Sequence, residues 1–420
     1  MKGHELRIDA ARLSRKLGVL AEFGLNAGGG IDRTTFTPAE LAAREWLVRE
    51  LKALSLAVRV DPAANIWARR EGEELSLPAI AFGSHIDAVP NGGKYDGALG
   101  VLIACEIMAV LRERGVATRH PLELVSFSAE EPNPFGLSTF GSRAATGKLK
   151  QRQLAGVADA AGLLLTDALR RAGGDPGRFD EAARRPGELS AFLEVHIEQG
   201  KRLISRNIPV GIVTAITGIY REEVTVTGEA NHAGTTLMED RKDALTAASE
   251  IVLALEETCR RHPAKEVVGT VGKLSVRPNA ANIIPAEVSF IAEFRGKTRE
   301  EIREAVAEWQ QSIGKVEQTR KVTVSRNVLL DQDPAPMDEI IIDSGRKWSA
   351  ALGYPYELLG SMAGHDATHM ASITRSGMLF VPSIGGKSHC PEEESRIEDI
   401  EKTANVLLRM ILELDECLDT

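Results

Sequence analysis

The sequence predicts an α/β protein whose larger domain has a mixed, mainly parallel sheet and whose inserted domain is ferredoxin-like α+β. Two observations lead to this prediction. Short apolar runs alternate with helical patterns, which is typical of a mainly parallel sheet with helices on both faces; the runs are 79–83, 122–127, 191–195 and 378–384. Between the third and fourth runs the order changes to β-α-β-β-α-β over about 115 residues, as in a ferredoxin-like unit.

The first part of the chain shows how the larger domain begins. The segment 37–40 (Thr-Pro-Ala-Glu) predicts a helix start, with Thr37 as the N-cap, proline at the first helical position and Glu40 completing a capping box. The segment 101–111 predicts a further helix between two of the apolar runs. Helices therefore separate strands that run in the same direction.

Residues 213–329 are predicted to form the inserted domain, because segments with metal-ligand chemistry lie on both sides of it. Strand patterns occur at 222–227, near 267–276 and 287–295, and at 321–328, with helical patterns at 243–259 and after the capping box of Thr298 and Glu301. The larger domain then comprises 1–212 and 330–420. An exposed strand or helix in the insert would suit dimerisation.

Composition and charge argue against several classes of protein. A net charge of −9 disfavours a nucleic-acid partner. The four cysteines are far apart and form no C-x-x-C pair, which indicates reduced thiols rather than disulfides or a cysteine zinc cage. The start of the chain has no apolar segment of the signal-peptide kind, and no run approaches the ~20 apolar residues that cross a bilayer. These features predict a cytoplasmic protein with no membrane partner.

Polar residues with metal-ligand chemistry follow the four apolar runs. They are His85 with Asp87 and Asp96, then Glu130 with Glu131, then His196, then His389. Because ligands collect at the carboxyl ends of strands in an open α/β sheet, we expect these residues to converge. Histidine nitrogens and carboxylate oxygens suit Zn²⁺, Mn²⁺ or Co²⁺, and one aspartate can bridge two such ions about 3.5–4 Å apart.

Each of these features, taken alone, has an ordinary structural explanation. His85 or His196 can be a hydrogen-bonded histidine of the core, and Glu130 with Glu131 can be a solvated pair. Two carboxylates that close an apolar strand are harder to explain in this way, because burying unpaired charge is costly. Four coincidences at strand ends together favour a metal centre.

At the level of motifs, the chain resembles the hydantoinase/carbamoylase branch of the M20 family of di-metal aminoacylases and peptidases over essentially its whole length. The matching segments are GSHIDAVPNGGKYDGALG (83–100), AEE (129–131), GSR (141–143), EVHIEQG (194–200), NHAGTTLMEDRKDA (231–244), RPNAANIIP (277–285), GHDA (364–367) and PSIGGKSH (382–389). The resemblance implies a catalytic α/β domain and an inserted lid domain that usually forms a homodimer. It also implies two divalent metal ions per subunit.

The resemblance assigns roles to the strand-end residues. It implies that His85, Asp96 and His196 bind one ion. It further implies that Asp96, Glu131 and His389 bind the other, so that Asp96 bridges the two. Glu130 would act as the general base, and Asp87 would support the ligands from behind.

The resemblance also assigns residues that contact substrate. His232 would stabilise a developing oxyanion, although its Asn-His-Ala-Gly segment also reads as an ordinary turn. The other implied contacts are Asn282 and Arg295 as a carboxylate clamp, Gln199 as a polar residue lining the site, and Gly364 and His365 as the segment lending a backbone donor. A salt bridge from Arg295 to Glu293 or Asp243 is the open alternative. His369 is more typical of a helix surface or core than of a ligand.

The activity that the resemblance implies is hydrolysis of the linear C–N bond of an N-carbamoyl (ureido) amino acid, with release of amino acid, CO₂ and ammonia. The wider family usually has a carboxylate where His196 stands, so histidine favours the carbamoylase branch over dipeptidases. Allantoate amidohydrolase, β-ureidopropionase, a dipeptidase of the family and a non-catalytic binding protein of the same fold remain alternatives. Pro-Asn-Pro at 132–134 departs from many relatives and leaves substrate preference open.

Overall fold

The computed structural model describes residues 6–418, and the chain divides into two compact units. The larger unit comprises the chain up to Thr214 together with Pro336–Ser361 and the chain from His365 onward. The smaller unit comprises Ala215–Ala335 and the short segment Met362–Gly364.

The regular elements of the described chain are named here in chain order. The α-helices are α1 (Ala10–Glu22), α2 (Pro38–Ala53), α3 (Ala98–Glu113), α4 (Phe140–Ala145), α5 (Leu165–Arg171), α6 (Arg202–Arg206), α7 (Ala244–Arg261), α8 (Arg299–Arg320), α9 (Glu339–Ala351), α10 (Ala367–Met370) and α11 (Ile397–Cys417). The strands are β1 (Ala57–Val60), β2 (Ile66–Arg70), β3 (Ala79–His85), β4 (Leu122–Phe127), β5 (Leu189–Ile197), β6 (Val210–Ile216), β7 (Gly218–Thr227), β8 (Val268–Arg277), β9 (Glu287–Gly296), β10 (Thr323–Gln332), β11 (Ala335–Pro336), β12 (Tyr356–Ser361) and β13 (Arg375–Val381). None of the helices formed by residues 6–418 is long and apolar enough to cross a bilayer.

The larger unit is built on a nine-stranded sheet with the order β1-β2-β4-β3-β5-β13-β6-β11, in which β12 also pairs with β6. Its four central strands, β4, β3, β5 and β13, are mutually parallel. The strands β1, β2 and β6 pair antiparallel at the flanks. This arrangement confirms the predicted mixed, mainly parallel α/β fold.

The four central strands are those that the apolar runs predict, and their carboxyl ends lie along one edge of the sheet. In the strand register, His85 pairs with Phe127 and Phe380 pairs with His196. Since parallel strands point the same way, the residues that close them meet at this edge. The register therefore aligns the candidate metal ligands.

Helix α3 is buried on every side from Ala98 to Leu111. A side chain at Gly100 would overlap the carbonyl oxygen of Val195, so glycine permits the close approach of α3 to β5. The beginning of α3 is thereby fixed at the carboxyl edge of the sheet. Asp96 stands just before this helix and is held at the same edge.

The predicted start of α2 is confirmed, but its predicted capping box is wrong in one half. The Thr37 hydroxyl accepts from the backbone N–H of Glu40 at 3.4 Å, as an N-cap does. The Glu40 carboxylate instead accepts from the backbone N–H of Phe36 at 3.2 Å and pairs with Arg44. A buried arginine one turn along the helix therefore draws this carboxylate away from the N-cap.

The smaller unit contains a four-stranded antiparallel sheet with the order β10-β7-β9-β8. Alternate residues of β9 are buried, and they belong to one apolar core with α7 and α8. In that core, the indole of Trp309 donates to the carbonyl of Ile251 at 2.9 Å. The capping box of Thr298 and Glu301 is present at the start of α8. The predicted order β-α-β-β-α-β is confirmed.

Candidate metal centre

The carboxyl edge of the larger sheet brings together two groups of metal-ligating side chains. The first is His85, Asp96 and His196; the second is Asp96, Glu131 and His389, and within each group the ligand atoms lie within 4.8 Å of one another. Asp96 belongs to both groups. The five side chains that the sequence proposes as ligands thus form one cluster with a shared carboxylate.

The first group is buried. His196 Nε2 lies 3.1 Å from Asp96 Oδ1, and His85 Nε2 lies 3.6 Å from the same oxygen. Burial opposes the charge on Asp96, yet the neighbouring imidazoles hold the pKa of its carboxyl well below its usual range. Asp96 is therefore an anion that both rings face.

The second group is more open to solvent. His389 Nε2 lies 3.4 Å from Asp96 Oδ2 and 3.3 Å from Glu131 Oε1, and its side chain is 46 % exposed. Hydrogen bonding to these two carboxylates raises the pKa of His389 to about 11. The group gathers two carboxylates around one imidazole, a set of donors that a divalent ion can bind once it displaces the ring proton.

The hydrogen bonds of the histidines show which ring nitrogen is free to bind a metal. His85 Nδ1 lies 3.0 Å from the carbonyl oxygen of Asp87, and His196 Nδ1 lies 2.9 Å from that of Ile197. A carbonyl only accepts, so each Nδ1 carries a proton and each Nε2 of the neutral ring carries a lone pair. The backbone N–H of Gly97 donates to His196 Nε2 at 3.2 Å, which agrees with this tautomer.

These residues fit divalent metal ions. Nε2 of His85 and of His196 faces a carboxylate oxygen of Asp96, so a divalent ion that displaced the ring protons would be bound by nitrogen and oxygen donors together. Glu131 Oε1 is buried and faces His389 Nε2 at 3.3 Å without forming a well-aligned hydrogen bond, which leaves it available to a metal ion. Imidazole nitrogens whose second nitrogen is tied to a carbonyl are typical zinc ligands.

Glu130 lies beside the two groups and belongs to neither. Its Oε2 is 3.6 Å from His85 Nε2. Burial, together with the adjacent carboxylate of Glu131, raises the pKa of Glu130 well above its usual range. A raised pKa makes this carboxylate a stronger proton acceptor, which suits a general acid–base role.

Asp87 holds this segment in place, as its proposed supporting role requires. One of its carboxylate oxygens accepts from the Thr35 hydroxyl at 2.8 Å. The carboxylate also accepts from the backbone N–H groups of Glu130 and Glu131, each at 3.2 Å. Asp87 thereby links the strand end that carries His85 to the acidic pair.

Gly97 accounts for the close approach of the aspartate loop to the first histidine. Its φ is 61°, in the left-handed region that favours glycine. A side chain at this position would overlap the imidazole of His85. Any larger residue would displace the ring or the loop that carries Asp96.

Gln199 and His365 lie at the cluster. Gln199 Nε2 donates to Asp96 Oδ2 at 2.9 Å, and Gln199 Oε1 is buried without a hydrogen-bond partner. The His365 ring packs on His196 with 4.5 Å between ring centroids. Burial and the neighbouring His196 hold the pKa of His365 well below its usual range, and its Nε2 lies 2.8 Å from Ser361 Oγ. His369 is buried in α10, with its Nε2 2.9 Å from Thr139 Oγ1, and belongs to neither ligand group.

The remaining proposed substrate contacts lie in the smaller unit. His232 and Asn282 are exposed, and their segments pair with each other. His232 and Ile283 form an isolated antiparallel bridge, and the N–H of Ala233 donates to the carbonyl of Asn282 at 3.0 Å. Gly364 lies in the short segment Met362–Gly364, which belongs to the smaller unit.

Arg295 is not brought together with Asn282. Its Nε lies 2.8 Å from Glu293 Oε1, and its Nη1 donates to the carbonyl of Met362 at 2.7 Å. The ion pair with Glu293 is one of the alternatives that the sequence leaves open. Asn282 lies in the loop before β9, whereas Arg295 is near the far end of that strand, roughly 26 Å of strand away.

Three buried residues that the sequence does not single out also hold the site. Arg33 Nε donates to the carbonyl of Ile86, between His85 and Asp87, at 2.6 Å. The others are Glu194, which accepts from the Ser84 hydroxyl at 2.6 Å and the Ala367 N–H at 3.0 Å, and Glu393. Their sequence signal is weak, because long-range contacts to backbone groups leave no periodic pattern.

A mainly parallel sheet with metal-ligand groups at its carboxyl edge and a separate α+β unit defines a class of metal-dependent α/β hydrolases. Residues 81–413 match the family described as Peptidase family M20/M25/M40. The chain belongs to this family, and it is an amidohydrolase, a hydrolase of carbon–nitrogen bonds. The resemblance and the enzyme class that the sequence predicts are confirmed.

The relatives cover nearly the whole chain. The chain is 38% identical over 410 residues to the N-carbamoyl-L-amino acid amidohydrolase of Geobacillus stearothermophilus, and the match covers 97% of this chain and 99% of that one. It is 35% identical over 395 residues to the allantoate amidohydrolase of Bacillus subtilis, with 94% and 95% covered. The crystal structure of a hydantoinase/carbamoylase family amidase from Burkholderia multivorans superposes with a TM-score of 0.90 at 31% identity, covering 99% and 100%.

Proposed function

We propose that the protein hydrolyses the linear C–N bond of an N-carbamoyl (ureido) amino acid and releases the amino acid, CO₂ and ammonia. The observation that carries this proposal is the sharing of Asp96 between two donor groups, with the buried carboxyl of Glu130 beside them. The names of the relatives support a substrate of the ureido class.

The metal ions and Glu130 have different proposed roles in this reaction. Two divalent ions, with Zn²⁺ expected and Mn²⁺ or Co²⁺ as alternatives, would polarise the ureido carbonyl and acidify the attacking water. Glu130 takes the proton of that water as it attacks the carbonyl carbon, and then passes it to the leaving nitrogen. The bond between the carbonyl carbon and the nitrogen of the amino acid then breaks. One water is consumed, and the carbamic acid that remains breaks down to CO₂ and ammonia.

His232 is proposed to donate a hydrogen bond to the oxyanion that develops on the carbonyl oxygen. The backbone N–H of Gly234 donates to His232 Nδ1 at 3.0 Å, so Nδ1 is the acceptor and Nε2 of the neutral ring carries the proton. The side chain therefore presents an N–H donor at the surface of the smaller unit. Such a donor stabilises charge that appears only in the transition state.

The substrate carboxylate is proposed to contact both Arg295 and Asn282. The part of β9 from Glu287 to Arg295 is roughly 26 Å long, and Asn282 lies before its start. One carboxylate therefore cannot touch both residues within one smaller unit. A homodimer resolves the discrepancy if one copy supplies Arg295 and the partner supplies Asn282 together with its neighbour His232. The proposal therefore includes a homodimer with shared sites.

Exposed apolar side chains in the loop after His232 support this dimer. Leu237 is 64 % exposed and Met238 is 76 % exposed, so two adjacent large apolar side chains are available to a partner. A partner subunit would cover them. The cytoplasmic location expected from the cysteine content belongs to the same proposal.

Allantoate amidohydrolase is the second candidate function, because a relative with that name is 35% identical over 395 residues. Allantoate is also a ureido compound with a carboxylate, so the same site residues would serve it. The distinguishing experiment measures ammonia release from N-carbamoyl-L-amino acids, N-carbamoyl-D-amino acids, β-ureidopropionate, allantoate and a dipeptide panel after loading with Zn²⁺, Mn²⁺ or Co²⁺. Preference for N-carbamoyl-L-amino acids is expected. Turnover confined to allantoate or to dipeptides would contradict the proposal.

A further inference from the structure

The buried carboxylate of Glu393 joins two loops of the larger unit. The residue is 2% exposed, and its Oε1 accepts from the backbone N–H groups of Tyr95 at 2.8 Å and Asp96 at 3.0 Å. Its Oε2 lies 3.1 Å from Ser388 Oγ. The first loop carries the shared ligand candidate Asp96, and the second carries His389. One carboxylate therefore contacts two of the three loops that bear ligands of the second group.

The fit around Glu393 is tight. A methyl group on Gly93 would overlap the Glu393 carboxylate, so glycine allows the aspartate loop to close over it. Ser388 Oγ also lies 2.8 Å from Asp96 Oδ2, and its one proton can be donated to either carboxylate. Glu393 is thus linked to Asp96 in two ways, through the backbone N–H of Asp96 and through the hydroxyl of Ser388.

The neighbouring residue Glu394 makes weaker contacts with the same loop. It accepts from the hydroxyl of Tyr95 at 2.7 Å and lies 3.3 Å from Lys94 Nζ. Its side chain is 46 % exposed. An exposed pair of this kind contributes little to stability, so the two adjacent glutamates offer a natural comparison.

We propose that Glu393 is a positioning residue that fixes Asp96 relative to His389 and thereby holds the second metal ion. The inference rests on the metal centre of the proposed function. Without an acceptor at this position, two buried N–H groups would lose their partner, and the loop would have to move to satisfy them. Groups that support metal ligands in this way typically change metal affinity by 10–100-fold when they are removed.

Two substitutions separate the chemistry of Glu393 from its volume. Glu393→Met keeps the length of the side chain and removes both oxygens, so we expect one of the two ions to bind roughly 10–100-fold more weakly. Glu393→Gln keeps Oε1 for the two N–H groups, and its amide can donate to Ser388 Oγ. This variant should therefore hold both ions and recover most of the turnover that Glu393→Met loses.

Asp415 supplies a matched control for general destabilisation. Its carboxylate is 5% exposed and accepts from the backbone N–H groups of Arg119 at 3.0 Å and His120 at 2.7 Å. These groups precede the start of β4, at the opposite end of that strand from Glu130. Asp415→Leu removes the same kind of contact without touching the ligand loops, so it should retain both ions. Glu394→Gln should do the same.

The test measures bound Zn²⁺ per chain at graded chelator concentrations for the intact wild-type protein and the four variants. Early loss of one ion in Glu393→Met alone, with recovery in Glu393→Gln, is the expected result. If the wild type holds two ions and Glu393→Met holds them equally tightly, the positioning role is overturned. Equal loss in Glu393→Met and Asp415→Leu overturns it too, since instability would explain both. A wild type that binds no metal would instead refute the metal centre itself.

Discussion

The two units hold their proposed site residues in opposite ways. In the larger unit, His85, Asp96, Glu131 and His196 are buried, and each contacts another member of the cluster. In the smaller unit, His232 and Asn282 are exposed and linked chiefly through backbone contacts. Arg295, in the same unit, is already paired with Glu293.

This difference follows from the elements that carry the residues. Ends of adjacent parallel strands are fixed by the register of the sheet, so the metal ligands converge before any ion or substrate binds. Loop residues such as His232 and Asn282 are set by fewer contacts and are completed by a substrate or a second copy of the chain. We therefore expect substitutions in the larger unit to affect metal binding and chemistry. Those in the smaller unit should affect transition-state and substrate binding.

The largest effect is expected at the acidic pair of the larger unit. Glu130→Gln should keep the metal ions and lower turnover by roughly 10²–10⁴-fold, the usual weight of general acid–base catalysis. Glu131→Gln should instead reduce the metal content, because Glu131 lies within the second ligand group. Metal analysis and steady-state kinetics on both variants make the comparison. Equal metal contents in the two variants would show that their roles have been misassigned.

An intermediate effect is expected in the smaller unit at His232. His232→Ala should lower kcat by roughly 10²–10³-fold and raise KM far less, because an oxyanion donor acts mainly in the transition state. Metal content should not change.

The proposed sharing of sites between subunits predicts a second result for this variant. Mixing inactive Glu130→Gln with inactive His232→Ala should restore part of the activity, since one site of the heterodimer would combine an intact Glu130 with the partner's intact His232. Verified heterodimers without activity would show that each site uses its own histidine.

The smallest effect is expected at Arg295. Arg295→Lys should raise KM for N-carbamoyl amino acids by roughly 10–100-fold, because lysine cannot reproduce a bidentate contact with a carboxylate. The melting temperature and the metal content should stay close to those of the wild type. A substrate with an amide in place of the carboxylate is the control. An equal loss on the acid and the amide would mean that the pair with Glu293 makes Arg295 structural.

Much of the larger unit follows from local sequence patterns. The runs that form β3, β4, β5 and β13 are mainly apolar, because strands covered on both faces bury nearly all of their side chains. That pattern places the residues at their carboxyl ends together, so the ligand cluster follows from strand direction alone. The start of α8 was predictable for a similar reason, since the capping box of Thr298 and Glu301 is a local motif.

Other features depend on contacts between distant segments. Ala129, Gln199 and His389 have φ values of 52°, 58° and 57°, a region that residues other than glycine rarely adopt, and their residue types do not indicate it. The sequence predicts a capping box at Glu40, because spacing alone does not show that Glu40 and Arg44 are both buried and pair with each other. Glu393 was missed because its partners, Tyr95 and Asp96, lie almost three hundred residues earlier in the chain.

Metal removal and reloading test the central claim most directly. The claim is that a centre held by Asp96, with Glu130 beside it, hydrolyses a ureido bond. After exhaustive chelation, we predict an unchanged near-UV circular dichroism spectrum and no ammonia release from an N-carbamoyl-L-amino acid, because the ligands sit on a large preformed core. Stepwise return of Zn²⁺, Mn²⁺ or Co²⁺ should restore activity, with full turnover only near two ions per chain. Turnover that survives exhaustive metal removal would contradict the account.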